Sequence, residues 1–214
     1  MNSKETYKIL VFSKIKLPRG LLKWCEEIEL SDEQIKTSLT FAHKCCISIF
    51  DRVFQYKIVT QILPTNEYLE RYKVKDYNTC DNCIERDSIE HRLYECEKVV
   101  PIIQIIVDFL DRECQIGGNM NMINYLFGFN GEPNLALNHT ILELKKMIFY
   151  NLLDFNNPDA FCEHFFDKMR ALIMREKTIA EKNNHLEIFY TKWNKFTAIY
   201  DFRGPDLIFN SIGQ

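Results

Sequence analysis

Apolar residues recur at helical spacing along most of the 214-residue chain. In the segment LSDEQIKTSLTFAHKC, Ile35, Leu39 and Cys46 fall on one helical face. Ser31 comes just before this face, and Gln34 follows three residues later, which is the spacing of a capping box. No stretch of useful length alternates apolar and polar residues as a β-strand does, and no internal repeat is visible. The pattern predicts an all-α protein.

The same spacing predicts further helices, and several carry start or stop signals at their ends. They cover Ile49–Leu63, a short piece after Thr65 through Tyr72, VVPIIQIIVDFLDREC, Leu135–Phe155, Asp159–Phe189 and a shorter piece around Trp193. Pro64 is expected to end the first of these, and Asn157 and Pro158 to cap the start of the long one. The GFNGEPN stretch (Gly128–Asn134) is the clearest loop.

Composition narrows the class of protein. Hydrophobic residues make up 46% of the chain and aromatic residues 13%, with few Gly and Pro, which is typical of a packed globular protein. A net charge of −3 is too small to indicate a partner. No apolar run approaches the roughly 18 residues of a membrane span, and no secretory signal is visible. We therefore expect an intracellular setting, nuclear or cytoplasmic, where clustered cysteines hold metal more often than they form disulfides.

Four potential metal ligands crowd into the segment CDNCIERDSIEHRLYEC. Their spacing is Cys80-x2-Cys83-x7-His91-x4-Cys96. Three thiolates and one imidazole complete a tetrahedron that suits Zn²⁺, and four protein ligands leave no open position, so the ion is expected to be structural. His91 and Cys96 would lie about 140° apart on an α-helix. The segment must therefore turn, or its helix must end, before Cys96.

The fold class that follows is an all-α helical bundle with an inserted CCHC zinc knuckle. We expect residues 1–127 to hold the N-terminal helices and the knuckle (80–96), and residues 135–214 to form a helical tail packed on them. Within the knuckle, the apolar residues Ile89 and Leu93 are expected to seat it on the helices at either side.

The other cysteines and histidines form no second motif in the sequence. Five cysteines are interpreted as small core residues: Cys25, Cys45, Cys46, Cys114 and Cys162. His43 lies near Cys45 and Cys46 and would allow a second site, but core packing is the more common outcome. Three histidines on helical segments without partners are interpreted as structural or exposed: His139, His164 and His185. Because no nucleophile–base pair or open metal site is visible, we do not expect an enzyme.

The segment around the cluster resembles the zinc-binding region that follows the reverse transcriptase of non-LTR (LINE-type) retrotransposons. That region has a Gln-Tyr-Lys-like run in a helix, a Leu-Pro-Thr-Asn turn, two cysteines, and a Thr-or-Ser, Glu, His, Leu, Cys frame. The matching residues are Gln55, Tyr56, Lys57, Leu63, Pro64, Thr65, Asn66, Cys80, Cys83, Ser88, Glu90, His91, Leu93 and Cys96. The similarity runs from about Trp24 to Phe196, including the helical tail with Trp193. Val99, Val100 and Pro101 depart from the aromatic pair that those families often carry there.

The resemblance implies a role in RNA or DNA binding during target-primed reverse transcription, with RNA, DNA and a reverse transcriptase polypeptide as partners. The polymerase itself is missing. No Asp-Asp pair with an adjacent aromatic residue is present to hold the two Mg²⁺ ions of nucleotidyl transfer. The chain alone is therefore not expected to polymerise nucleic acid, and neither a membrane nor a small-molecule substrate is expected as a partner.

Candidate contacts to nucleic acid lie outside the knuckle, because residues 80–98 carry six acids against three bases. Such a segment is a poor clamp for phosphates. The candidates are Lys14, Lys16, Arg19, Lys57, Arg71, Lys73, Lys145 and Lys146. Tyr56, Tyr68 and Tyr72 lie near the middle group and could stack on unpaired bases.

Two functions remain open at this point. One is a zinc-stabilised module that binds nucleic acid. The other is a scaffold of retroelement origin that packs against a polymerase or another protein, with zinc as a purely structural staple. For any single lysine, a solvated helix face is the more common explanation.

Overall fold

The computed structural model describes residues 18–114, 120–131, 134–150, 156–196, 199–201 and 208–209. In chain order the helices are α1 (Arg19–Ile28), α2 (Asp32–Cys45), α3 (Ile49–Val59), α4 (Asn66–Arg71), α5 (Val100–Cys114), α6 (Met122–Phe127), α7 (Leu135–Phe149), α8 (Pro158–Lys182) and α9 (Leu186–Trp193). One turn of π-helix, the π-turn (His91–Glu95), lies between α4 and α5, and a 3-10 turn (Asn194–Phe196) follows α9. The two-residue strands β1 (Tyr200–Asp201) and β2 (Ile208–Phe209) pair antiparallel. The predicted all-α class is confirmed.

Helix starts follow the capping signals in the sequence. Ser31 and Gln34 form the capping box at the start of α2: the Ser31 hydroxyl accepts from the Gln34 amide at 3.3 Å, and the Gln34 side chain accepts from the Ser31 amide at 2.8 Å. The Thr65 hydroxyl caps α4 through the Tyr68 amide. Asn157 caps α8 in the same way, with Pro158 at the first helical position. These local predictions are confirmed.

Three predicted helices end earlier than expected. The helix expected over Ile49–Leu63 ends at Val59, and the helix expected over Leu135–Phe155 ends at Phe149. The prediction of a single helix over Asp159–Phe189 is wrong, because the helix is interrupted between α8 and α9. Asn184 adopts a left-handed conformation (φ 57°), and the His185 amide donates to the Ala180 carbonyl at 2.8 Å. Asparagine tolerates this conformation better than most residues, so the helix ends here although the apolar period continues.

Helix α7 lies at the centre of the fold. It packs against α2, α3, α8, α9 and the π-turn. Its residues from Ala136 to Leu142 are all buried, as expected for a helix that is covered on every side. The buried core is continuous, and helices before and after the 128–134 loop contribute to it. Within the described residues, no helix combines the length and apolarity needed to cross a membrane.

The backbone of α1 touches the end of α3. Trp24 is fully buried, its indole N–H donates to the Ile58 carbonyl at 3.2 Å, and its ring meets Phe127 edge-on at 5.3 Å. One turn earlier, a Cβ atom added to Gly20 would lie only 2.0 Å from the Thr60 carbonyl oxygen. Because both contacting groups are backbone, neither can move aside cheaply, so this position requires glycine.

We expect Gly20→Ala to lower the free energy of unfolding by about 1–3 kcal/mol, the usual range for overpacking. Urea denaturation followed by circular dichroism measures the change. The control is Glu26→Ala on an exposed position of the same helix, which should change stability by no more than about 0.5 kcal/mol. Wild-type stability in Gly20→Ala would contradict the close approach of α1 and α3.

Candidate metal centre

The four residues of the cysteine–histidine motif lie together in the structure. Their ligand atoms are all within 4.8 Å of one another. Cys83 Sγ is 3.1 Å from His91 Nε2, and Cys96 Sγ is 4.0 Å from Cys80 Sγ and 3.9 Å from Cys83 Sγ. In a tetrahedron with ordinary zinc bond lengths, these edges would be about 3.8 Å between sulfurs and about 3.6 Å between sulfur and nitrogen. The Cys80–Cys83–His91–Cys96 cluster could therefore hold a metal ion.

The first two cysteines are placed by a tight loop closed at its base. Thr79 and Arg86 form an antiparallel bridge, and the Cys80 amide donates to the Glu85 carbonyl at 2.8 Å. At the tip, the Asn82 amide points at Cys80 Sγ from 3.4 Å. The Cys-x2-Cys segment therefore curls round its own sulfur atoms, as a metal-binding turn requires.

The last two ligands are placed by the π-turn. The Cys96 amide donates to the His91 carbonyl at 2.8 Å, a bond between residues five apart rather than four. This wider turn brings His91 and Cys96 to one side, and helical geometry ends at Glu95. The prediction that the segment must turn or end before Cys96 is confirmed. The Ser88 hydroxyl accepts from the His91 amide at 3.1 Å and fixes the start of the turn.

Apolar residues anchor the motif in the core. Ile89 and Leu93 are both buried, Leu93 completely. The π-turn that contains Leu93 packs against α5 and α7. Both residues thus belong to the buried core, as expected, and the π-turn contacts α5, the helix that follows it.

Asn66, at the start of α4, connects the loop between Thr79 and Arg86 to the residues before the π-turn. The Asn66 side-chain amide donates to the Thr79 carbonyl at 2.7 Å and to Asp81 Oδ1 at 3.0 Å. The Asn66 backbone amide donates to the Asp87 carboxylate, which is fully buried. Arg92 reaches the same carboxylate through two guanidinium nitrogens. The Leu-Pro-Thr-Asn turn thus has a clear structural role, since its asparagine holds the loop that carries Cys80.

Burial disfavours free thiolates at this site. It raises the pKa of the Cys80 thiol to about 12 and also raises the pKa of the Cys96 thiol. Hydrogen bonds from backbone amides lower both pKa values but only in part. A positive ion at the centre would supply the missing stabilisation, so metal binding here would release protons.

The candidate nucleic-acid contacts are scattered over different environments. Lys14 and Lys16 lie outside the described residues. Arg19, Arg71 and Lys73 are exposed, and Lys57 is half-buried. The Arg71 guanidinium donates to Glu67 Oε1 at 2.7 Å, so part of its charge is already balanced.

Lys145 is closed to nucleic acid, and Lys146 is already paired with carboxylates. Lys145 is fully buried and donates to Gln55 Oε1 at 2.8 Å and to the Leu126 carbonyl at 3.0 Å. Burial lowers its pKa to about 7. The prediction that Lys145 contacts nucleic acid is wrong, because a phosphate cannot reach it. Lys146 is half-buried and paired with two carboxylates, Asp51 and Glu143, so its charge is also unavailable.

The sequence did not reveal a second cluster in the core. Cys46, Asp51 and His139 are buried, and their ligand atoms also lie within 4.8 Å of one another. His43, the histidine nearest to Cys46 in sequence, is exposed instead. No short motif could have indicated this cluster, because His139 comes from a helix far along the chain.

Comparisons of the chain with protein-family models, curated proteins and solved structures give no match. The fold and the site together define an all-α protein with a Cys₃His cluster that could hold a metal ion. The arrangement of the residues themselves carries the functional conclusions below.

We expect Cys83→Ser and His91→Ala each to remove one bound metal ion per chain and to lower the melting temperature. Each change deletes a ligand of a closed site whose ion contributes to folding. Elemental analysis after gel filtration gives the metal content, and thermal denaturation gives the stability. Cys25→Ser, at a half-buried thiol outside the cluster, should keep the full metal content. Unchanged metal content in Cys83→Ser would contradict the assignment of the ligands.

Asn66→Ala should weaken metal binding without removing any ligand. Loss of groups that orient metal ligands typically costs about 10–100-fold in affinity. Competition with a chromogenic chelator measures this change. The matched control is Asn82→Ala, at an exposed position of the same loop, which keeps the backbone amide that faces Cys80. Equal affinities of the two variants would show that Asn66 does not support the site.

Proposed function

We propose that the chain is a zinc-stabilised module that binds unpaired RNA or DNA and has no polymerase activity of its own. In this proposal it corresponds to the C-terminal region of a non-LTR retrotransposon reverse transcriptase and acts inside the cell. Three sulfurs and one nitrogen, all within 4.8 Å of one another, support Zn²⁺ as the ion at the Cys80–Cys83–His91–Cys96 cluster, because this donor set is typical of structural zinc sites. Since no coordination position stays open, the zinc holds structure and takes no part in chemistry.

The observation that carries nucleic-acid binding is an exposed stretch of rings and cations beside the metal loop. We name residues 71–77 the 71–77 surface; it holds three cations and one acid. Tyr72 is 61% exposed, and its ring lies 4.7 Å from that of Tyr68. The Lys75 ammonium lies 4.7 Å from the centre of the half-exposed Tyr77 ring. Stacking on rings and pairing of phosphates with cations together favour single strands, whose bases are unstacked.

Hydrogen bonds connect the 71–77 surface to the loop that carries Cys80 of the zinc centre. Lys75 donates to the Asn66 side-chain carbonyl at 2.8 Å, and Asn66 in turn fastens the loop of Cys80. Asn78, at the edge of the loop, donates to Glu70 at 3.0 Å. The zinc ion therefore supports nucleic-acid binding indirectly, by holding the residues around this surface in place.

The neighbouring cleft is not suited to phosphate. A cavity of about 530 Å³ next to His91 is lined by Arg71 and Arg86 but also by Glu67, Glu85 and other acids. Both arginines donate to the same oxygen of Glu67, at 2.7 and 2.6 Å. Because Arg71 and Arg86 are already paired with Glu67, we confine the proposed contact to Tyr72, Lys73, Lys75 and Tyr77 of the 71–77 surface, with Arg19 and Lys57 as outlying members.

A second candidate function, a protein-interaction scaffold, is favoured by one face of α3. Four apolar or aromatic residues follow each other there at helical spacing and are exposed: Ile49 by 60%, Phe50 by 80%, Val53 by 44% and Tyr56 by 54%. An exposed apolar stripe of this kind is typical of an interaction site. A reverse transcriptase polypeptide is the partner that this alternative requires.

Fluorescence anisotropy with single-stranded RNA tests the main proposal. We expect Tyr72→Ala to weaken binding on the order of tenfold, because a stacked base contributes about 1–3 kcal/mol. Lys73→Ala should weaken binding and reduce the slope of log affinity against log salt by about 1. Tyr56→Ala and Lys182→Ala are the matched controls, since both are exposed outside the 71–77 surface.

Undetectable binding at low ionic strength, or binding that does not change with salt, would refute nucleic-acid binding. The scaffold would be supported by a partner recovered after nuclease treatment and lost in Phe50→Asp. The Tyr56 and Tyr72 variants thus separate the two candidate functions, because each tyrosine belongs to only one of the proposed surfaces.

A further inference from the structure

A second group of metal-type ligands lies in the core, away from the cysteine–histidine motif. Cys46 follows the end of α2, Asp51 lies in the first turn of α3 and His139 lies in α7. Only 3%, 3% and 1% of these residues, respectively, is exposed. Their ligand atoms lie within 4.8 Å of one another, although they come from three separate segments. We name these three residues the core cluster.

One nitrogen of the core cluster is buried without a well-formed hydrogen bond. His139 Nε2 makes none to any nitrogen or oxygen, and the neighbour with which the imidazole interacts is the Cys46 thiol. The carboxylate oxygens nearest to Nε2, Asp51 Oδ2 at 3.9 Å and Glu143 Oε1 at 4.0 Å, are too far for a hydrogen bond. An unpaired polar atom in a protein core costs about 1–3 kcal/mol. A bound ion between His139 and its neighbours would remove this cost.

The other side of the imidazole is held as in known metal sites. His139 Nδ1 lies 3.1 Å from Glu176 Oε1. Glu176 accepts from the Lys192 ammonium and, at 2.8 Å, from the Trp193 indole, so its oxygens act as acceptors. Lys192 Nζ also lies 3.0 Å from His139 Nδ1, and both can donate to Glu176. With the proton on Nδ1, the lone pair on Nε2 points into the core cluster, the arrangement that a carboxylate imposes on a metal-binding histidine.

Asp51 is held in a corresponding way. Lys146 occupies its Oδ1 atom, which leaves Oδ2 as the oxygen nearest to His139 Nε2. Cys46 completes the set with a soft ligand. Arg52 donates to the Cys46 carbonyl oxygen at 2.7 and 3.0 Å, and this contact fixes the backbone that carries the thiol.

The charges around the core cluster also leave room for a cation. Three carboxylates, those of Asp51, Glu143 and Glu176, face two ammonium groups, those of Lys146 and Lys192, and the Arg52 guanidinium binds the Cys46 carbonyl oxygen. These charges balance, so a thiolate at Cys46 would be a buried charge without compensation, which is costly. A divalent ion bound to the thiolate compensates it, and so would a proton on His139. Metal binding distinguishes these two arrangements.

We propose that Cys46 Sγ, Asp51 Oδ2 and His139 Nε2 form a second metal centre that binds a divalent transition-metal ion of the zinc type. One sulfur, one nitrogen and one oxygen are a donor set that such ions accept. Three protein ligands leave a fourth position for water. Of the three residues, Cys46 also borders a cavity of about 1000 Å³ between the end of α2, α8 and α9, and in this proposal the ion enters from that side.

Cobalt titration tests the proposal on the full chain after removal of metal by a chelator. Wild type should bind two Co²⁺ ions per chain, Cys46→Ser one, and Cys83→Ser one that retains a single thiolate charge-transfer band. His43→Ala, at the exposed histidine close to Cys46 in sequence, is the matched control and should bind two. Circular dichroism verifies that each variant is folded.

A wild type that binds one Co²⁺ ion, still bound in Cys46→Ser, would overturn the second centre and assign the core cluster to a protonated His139. A single ion lost in Cys46→Ser but kept in Cys83→Ser would instead support the core cluster and remove the zinc-knuckle part of the proposed function. If Cys46→Ser fails to fold, ¹¹³Cd NMR of the wild type decides. Two resonances, one from a three-sulfur and one from a one-sulfur site, support the proposal, and a lone three-sulfur resonance refutes it.

Discussion

The hydrogen bond from the Cys96 amide to the His91 carbonyl spans one residue more than an α-helical bond, and the metal centre depends on that difference. An ordinary helix would turn the imidazole and the thiol about 140° apart. A π-turn is unfavourable in isolation and rarely extends beyond one turn. The structure stabilises this one from both ends, by the Ser88 hydroxyl at its start and by complete burial of Leu93 in its middle. The wide turn and the core packing around it therefore act together to place His91 and Cys96.

The buried carboxylate of Asp87 links this turn to the rest of the motif. It accepts from the backbone of Asn66 and from the guanidinium of Arg92, the residue directly after His91. Asn66 also holds the loop of Cys80 and contacts Lys75. One short chain of hydrogen bonds thus joins both halves of the candidate metal centre to the residues proposed to contact nucleic acid. Substitution of any residue in this chain should affect both the candidate metal centre and the 71–77 surface.

Sequence reasoning succeeded where the determining interactions are local. The capping box of Ser31 and Gln34, the cap at Thr65 and the four ligands of the motif each depend on residues a few positions apart. The break at Asn184 was missed because the apolar period runs through it, and only the left-handed backbone ends the helix. Lys145 was misjudged because a lysine on a helix usually faces water, whereas Gln55 and the Leu126 carbonyl satisfy it in the core. The core cluster could not be predicted from the sequence either, because only tertiary packing brings His139 close to Cys46.

The break between α8 and α9 also has a consequence for the order in which the protein matures. It reverses the chain, so that Lys192 and Trp193 return to Glu176 on the preceding helix. During synthesis, Cys46, Asp51 and His139 leave the ribosome well before these two residues. Until α9 emerges, the carboxylate of Glu176 has no cover and the imidazole of His139 lacks a fixed orientation. Helix α9 therefore closes this part of the core, and the interior beneath it can reach its final arrangement only after α9 has been synthesised.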